Sequence, residues 1–160
     1  MRDNQHSKRV VLIAHCILNQ NSRATGLAKN PSAMKPLVNF LLRNKIGIIQ
    51  MPCPELAFKG VLRQPQTREQ YDLTKFRKHC QKIANELVDQ MQEYAKGGIE
   101  LKLVLGMQGS PSCAVDVPSV GIFMEELRSA LNGKKFSVQF HEICCERLKE
   151  DVAHLEKLIK

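Results

Sequence analysis

Short apolar runs of strand length alternate along the chain with longer stretches in which apolar residues recur every three or four positions. Arg9 to His15 carries Val10, Val11, Leu12, Ile13 and Ala14 without interruption, and Ile46 to Gln50 carries Ile46, Ile48 and Ile49. Ile99 to Leu105 alternates apolar residues with Glu100 and Lys102, and Phe136 to Phe140, extensible to Ile143, forms the last run. Apolar, largely β-branched runs of this kind predict strands of a parallel sheet, the second uncharged, buried on both faces and stopped by Pro52, which has no N–H to continue a ladder.

Helical spacing fills the intervals. Asn30 and Pro31 mark a cap and first turn for a helix that buries Leu37, Val38, Leu41 and Leu42 and ends near Asn44. Asp72 to Lys96, capped by Asp72 or Thr74, has Phe76, Ile83, Leu87, Val88, Met91 and Tyr94 on one side and stops at Gly97-Gly98. Gly121 to Leu131 buries Ile122, Phe123, Leu127 and Leu131. A last helix, from Glu142 or Cys144 to Leu158, aligns Leu148, Val152, Leu155 and Ile159. Residues 54–71 have neither period and read as a long loop, which suggests function. The alternation predicts an α/β fold: a three-layer, Rossmann-like single domain spanning residues 1–160, with a mainly parallel sheet of four strands or slightly more and a right-handed first crossover.

Composition narrows the class. The chain has 160 residues, 43% of them hydrophobic and 25% charged, enough to build one core without disulfides or a structural metal. No apolar run is long enough to span a bilayer, and the N-terminal MRDNQHSKR has no signal-peptide core, so no membrane association and a cytoplasmic location are expected. The net charge of +8 attracts anions. The lysines are spread along the chain with no helix-turn-helix, zinc-finger or RNP-like signature, so direct polynucleotide binding is the less favoured use of that charge. Nothing in the pattern specifies an oligomeric state.

Cysteine placement carries the chemistry. Cys16, Cys53 and Cys113 each follow an apolar strand within a few residues, whereas Cys80, Cys144 and Cys145 fall in predicted helices. In a parallel sheet the strand-following thiols emerge at one carboxyl edge, where ligands bind. They suit a zinc ion with His15 as fourth ligand, a 4Fe-4S cluster with one iron left open, or a metal-free nucleophile at Cys53 or Cys113 activated by loop N–H groups and by Arg23 and Arg63. The wide spacing excludes a zinc ribbon or a ferredoxin run. It does not choose among the rest.

The segments IAHCILNQNSR at 13–23, MPCPELAFKGVLRQP at 51–65 and GMQGSPSC at 106–113 resemble the signature regions of the thiouracil desulfurase family, once a domain of unknown function, and especially its shorter relatives described as desulfidases. The resemblance covers the first three quarters of the chain in order. It implies a Rossmann-like domain, a 4Fe-4S cluster on Cys16, Cys53 and Cys113, and an unligated iron that acts as a Lewis acid to take sulfur from a small thiolated substrate without net redox change. Better-known members read Leu-Leu-Gly and then Arg-Tyr-Asp-Gly after the first cysteine. Here Ile17-Leu18-Asn19 and Arg23-Ala24-Thr25-Gly26 stand instead, which points to a thioamide or thionucleobase other than thiouracil. The alternative class is a non-catalytic iron–sulfur or zinc protein that senses iron or delivers sulfide.

Roles follow from the reaction. Exchanging C=S for C=O needs an activated water, which falls to Glu55, two residues past Cys53. Ser110 is positioned to donate a hydrogen bond to substrate or cluster sulfide, unless it and Ser112 only brace the turn. His15, Asn19, Asn21, Arg23, Arg63 and Ser112 are the expected substrate contacts, with the alternative that His15 points back toward the core. Asp116 orients the Cys113 loop.

Overall fold

The computed structural model describes residues 5–159; residues 1–4, part of the segment read as lacking a signal peptide, lie outside them. The strands are β1 (Arg9–Ile13), β2 (Gly47–Gln50), β3 (Glu100–Met107) and β4 (Gln139–Ile143). They form one parallel sheet in the order β2-β1-β3-β4. The helices are α1 (His15–Leu18), α2 (Lys35–Arg43), α3 (Pro54–Lys59), α4 (Arg68–Tyr71), α5 (Thr74–Lys96), α6 (Ile122–Gly133) and α7 (Leu148–Ile159). Helix α2 packs with α7 and α5 with α6, so the sheet is the middle of three layers, as expected for a Rossmann-like α/β chain. From β1 the chain first steps outward to β2, then returns to the opposite side of β1 for β3. The crevice between β1 and β3 is therefore the topological switch point, the place where such sheets bind ligands.

The sheet core is Val11, Leu12 and Ile13 of β1 with Leu103, Val104 and Leu105 of β3, all buried. No helix among the described residues is long and apolar enough to cross a membrane.

Several expected boundaries shift. β2 is half-exposed because it is the edge strand, with a neighbour on one side only. Helix α2 begins at Lys35, without an Asn30 cap, because the preceding segment closes over α1: Gln20 N–H donates to Ser32 O at 2.6 Å and Met34 N–H to Ile17 O at 2.8 Å. Its inward face is Leu37, Phe40 and Leu41, and Leu42 is 59% exposed. Neither Asp72 nor Thr74 caps α5; the N-cap is Leu73, and Asp72 instead pairs with Arg77 at 2.8 Å. β4 begins three residues later than Phe136 and runs to Ile143. A 3-10 turn, Cys145–Arg147, precedes α7, so Cys144 and Cys145 lie at the exit of β4 and not within a helix.

The stretch 54–71 is the largest departure. It folds into α3 and α4, the latter closed by a capping box in which Thr67 Oγ1 accepts Gln70 N–H and the Gln70 side chain accepts Thr67 N–H.

Candidate functional site

Each of the strands β1, β2 and β3 delivers one cysteine to the carboxyl edge. After β1 the chain turns at Ala14 directly into α1, which places Cys16 in its first turn. After β2, Pro52 and Pro54 stiffen the chain, Pro54 occupies the first turn of α3, and the Cys53 thiol caps that helix by accepting Leu56 N–H at 3.4 Å. After β3 the backbone makes a tight turn in which Ser110 Oγ accepts Cys113 N–H at 3.0 Å and Ser112 N–H at 3.3 Å. His15 Nδ1 donates to Met51 O at 3.0 Å, tying the exits of β1 and β2 together.

The Cys113 turn is clamped from behind. A Cβ on Gly106 would lie 2.2 Å from Cys113 O, and one on Gly121 would lie 2.2 Å from Ser112 C and 2.6 Å from Cys113 N. Glu142, buried at the end of β4, accepts Val115 N–H at 3.0 Å and Asp116 N–H at 3.1 Å, so this carboxylate orients the loop through the Asp116 backbone. A Gly121→Ala variant is expected to push the Ser112-Cys113 backbone aside and to cost about 1–3 kcal/mol, the usual penalty of overpacking. Denaturant unfolding would check it, and a midpoint within error of wild type would contradict the clamp.

Cys16, Cys53 and Cys113 line one cavity of about 60 Å³, together with His15, Arg23 and Arg63. Glu55, Ser110 and Ser112 complete the polar part of its wall. Of the expected contacts, Asn19 and Asn21 stay outside. Both are exposed and bonded to each other, with Asn19 Oδ1 accepting Asn21 N–H at 3.1 Å and Asn21 Nδ2–H at 3.0 Å.

Behind the cavity lies a buried polar group. Ser112 Oγ donates to Glu55 Oε2 at 2.6 Å, while the other Glu55 oxygen stands 3.6 Å from Arg63 Nε. That separation is an ion-pair contact but not a hydrogen bond, so Arg63 Nε is left without a hydrogen-bond partner. The remaining Arg63 nitrogens donate to Ser22 O at 2.7 Å and Gly60 O at 3.1 Å, and Nη2 approaches Cys53 Sγ at 4.0 Å. Tyr71 is the member that the sequence did not reveal. Its hydroxyl is buried without an ordinary hydrogen bond, and burial followed by the Glu55 charge pushes its pKa up to about 12, which keeps it a proton donor. An Arg63→Met variant would strip the cation from a buried carboxylate and orphan two carbonyls. The expected loss is about 3–5 kcal/mol. A drop below about 1 kcal/mol in chemical unfolding would show that Glu55 does not depend on Arg63.

Ser110 and Ser112 have different jobs. Ser112 holds Glu55, whereas Ser110 braces the turn and has its hydroxyl 3.3 Å from that of Ser112.

The thiols themselves are held protonated. Burial pushes Cys16 up to about 12, against the partial relief of Arg23, and it raises Cys53 and, well above the usual thiol range, Cys113, whose neighbours Cys53 and Cys16 add to the effect. A nucleophilic cysteine needs the opposite, a pKa lowered by its surroundings. Buried thiols of this kind become thiolates when a metal supplies the positive charge.

Among the described residues no three His, Cys, Asp or Glu side chains converge closely enough to hold one metal ion. In a cubane cluster each thiolate takes its own iron, so the ligands stand further apart. Cys16, Cys53 and Cys113, each from a different strand end, are the thiols on this cavity wall. When bound, a cluster with three protein ligands supplies a Lewis-acidic iron that polarises sulfur.

No family model matches the sequence, and no solved structure matches it. The chain is 35% identical over 157 residues to the uncharacterized protein MJ0003 of Methanocaldococcus jannaschii, a match covering 96% of this chain and 98% of that protein.

Proposed function

The chain belongs to the same family as the Methanocaldococcus jannaschii protein, and we propose that it is a desulfidase of the thiouracil desulfurase type, which removes sulfur from a small thiolated compound with a 4Fe-4S cluster on Cys16, Cys53 and Cys113. The observation that carries this reading is the convergence of three thiols from adjacent strand ends on a cavity whose wall also contains the buried Glu55, bonded to Ser112 and paired with Arg63.

The reaction is a hydrolysis. Water adds to the thiocarbonyl carbon, the C–S bond breaks, and the thiocarbonyl plus water becomes the carbonyl plus hydrogen sulfide, with no oxidant or reductant. Glu55 accepts one water proton and returns it to the departing sulfur, and the second proton follows the same route from the hydroxyl of the tetrahedral adduct as that adduct collapses to the carbonyl. Ser112 and Arg63 hold the carboxylate in place for that exchange. Arg23, half-buried at the cavity, faces the substrate side, with its guanidinium 3.8 Å from Cys145 Sγ.

Anaerobic purification followed by iron and acid-labile sulfide assays tests the proposal. The expected content is about four irons and four sulfides per chain. Tight zinc retention with neither iron nor sulfide would sink it.

A further inference from the structure

The cysteine cavity, of about 60 Å³, accommodates a few waters or the reacting atoms, whereas organic ligands occupy spaces of several hundred Å³. Most of a substrate therefore lies outside it. A neighbouring hollow of about 130 Å³, whose wall includes Lys29, Cys144, Cys145 and Glu146, shares Arg23 and Met107 with the cysteine cavity, so the two adjoin across these side chains. The guanidinium end of Arg23 lies at the hollow, because Nη1 stands 3.8 Å from Cys145 Sγ, and Cys145 lines that space and not the first. Gln20, which is buried, fixes the hollow to the Cys16 turn. Its Nε2–H donates to Cys16 O at 2.8 Å and its Oε1 accepts Lys29 N–H at 3.0 Å.

The charge of this wall is unbalanced. Arg23 and Lys29 make no ion pair among the described residues, and Glu146 is the one acid that lines the space. That acid is held by a thiol instead: Cys144 Sγ donates to Glu146 Oε2 at 3.2 Å. Burial raises the pKa of Cys145, against the partial relief of Arg23, so the thiol beside the guanidinium is neutral and leaves its charge unspent. Two cations facing one carboxylate leave the site short of a single negative charge. A carboxylate supplies it and meets the arginine fork with two parallel hydrogen bonds. A phosphate dianion overfills the site and is repelled by Glu146, and no glycine stands in the wall to bring backbone N–H groups to it.

We propose that the hollow is a carboxylate subsite, in which Arg23 and Lys29 bind the acid group of a thiocarbonyl compound whose sulfur reaches past Arg23 into the cysteine cavity. Arg23 is then the anchor of the substrate and Lys29 its second cation. Glu146 limits the site to one charge and so excludes dianions. The direction of the sulfur rests on the desulfidase reading, but capture of the carboxylate needs no cluster.

An NMR titration of reduced, iron-free, full-length protein tests this with succinamate, the oxygen counterpart of a carboxylate-bearing thioamide. The comparisons are succinamide, its neutral diamide, and inorganic phosphate at about pH 8, where it is a dianion. Succinamate should shift the amide signals of Gln108, Cys145 and Glu146, and should bind at least about tenfold more tightly than succinamide or phosphate, as charge-assisted hydrogen bonds predict. Arg23→Gln should weaken succinamate about tenfold, and Lys29→Gln, at an exposed position, about two- to threefold. Glu146→Gln should tighten it about two- to threefold and admit phosphate. Lys29→Gln and Glu146→Gln should load iron as wild type does. No measurable succinamate binding, equal binding of succinamide, tighter binding of phosphate than of succinamate by wild type, or unchanged affinity in Arg23→Gln would overturn the proposal. Arg23-dependent binding in a protein that never takes up iron would leave this site standing and remove the desulfidase reading; full iron content without succinamate binding would do the reverse.

Discussion

A Cys113→Ala variant is expected to fold, to retain less than about a tenth of the wild-type iron and sulfide after anaerobic reconstitution, and to lose desulfuration entirely. Cys113 is the most deeply buried of the three thiols, and its turn is fixed by Gly106, Gly121 and Ser110 whether or not a cluster is bound. The substitution therefore removes a donor without removing the scaffold. A cubane held by three protein thiolates that lost one of them would keep two attachment points to the protein. Cys80→Ala is the informative control. Cys80 is also buried, with its pKa raised to about 12 chiefly by burial, but it sits in the interior of α5 and does not line the cavity. Its loss should cost stability on the order of 1 kcal/mol and leave iron content unchanged. Equal iron loss in both variants would mean that general destabilisation, and not ligation, controls cluster retention.

The sequence made some parts of this arrangement legible and concealed others, for physical reasons. The apolar runs ending at Cys16, Cys53 and Cys113 located all three thiols at one sheet edge because strand direction in a parallel sheet puts every carboxyl end on the same side. Glu55, two residues past Cys53, was legible for the same reason. α3 and α4 were hidden because their signals are shorter than a helical period of apolar residues. Pro54 with Glu55 is nonetheless a first-turn pattern, and Thr67 with Gln70 is a capping box that the chain states openly. Tyr71 could not be found in this way, since only the tertiary path of α4 carries it to Glu55 and Arg63. Asn19 and Asn21 are close to Cys16 in sequence, yet Asn19 sits between α1 and a following 3-10 turn, Gln20–Ser22, that contains Asn21, and both are exposed. The helical spacing of Leu148, Val152 and Leu155 suggests a helix that includes Cys144 and Cys145, but the helix starts only at Leu148. Cys145 instead meets Arg23 near the cavity mouth.

Glu55→Gln separates an enzyme from a sulfide carrier. Glutamine keeps the size of the side chain and an oxygen able to accept the Ser112 hydroxyl, which now lies 2.6 Å from Glu55 Oε2. It cannot accept a proton from water. If Glu55 is the general base, turnover of a thionucleobase should fall about 10²- to 10⁴-fold, with iron content and substrate KM close to wild type. The variant also leaves the Arg63 cation buried opposite a neutral amide, so a loss of stability must be measured alongside. Glu55→Asp resolves that confound: it restores the charge near Arg63 but withdraws the carboxylate by one methylene, so stability should recover further than turnover does. Recovery of both in parallel would mean that Glu55 acts by holding Arg63 and the Cys113 turn together, a structural role. A fall of less than about threefold in Glu55→Gln, with iron intact, would assign the proton transfer to another group. A protein that binds the cluster and turns over nothing, with or without Glu55, would be a carrier, and the buried Glu55–Ser112–Arg63 group would then be explained by loop positioning alone.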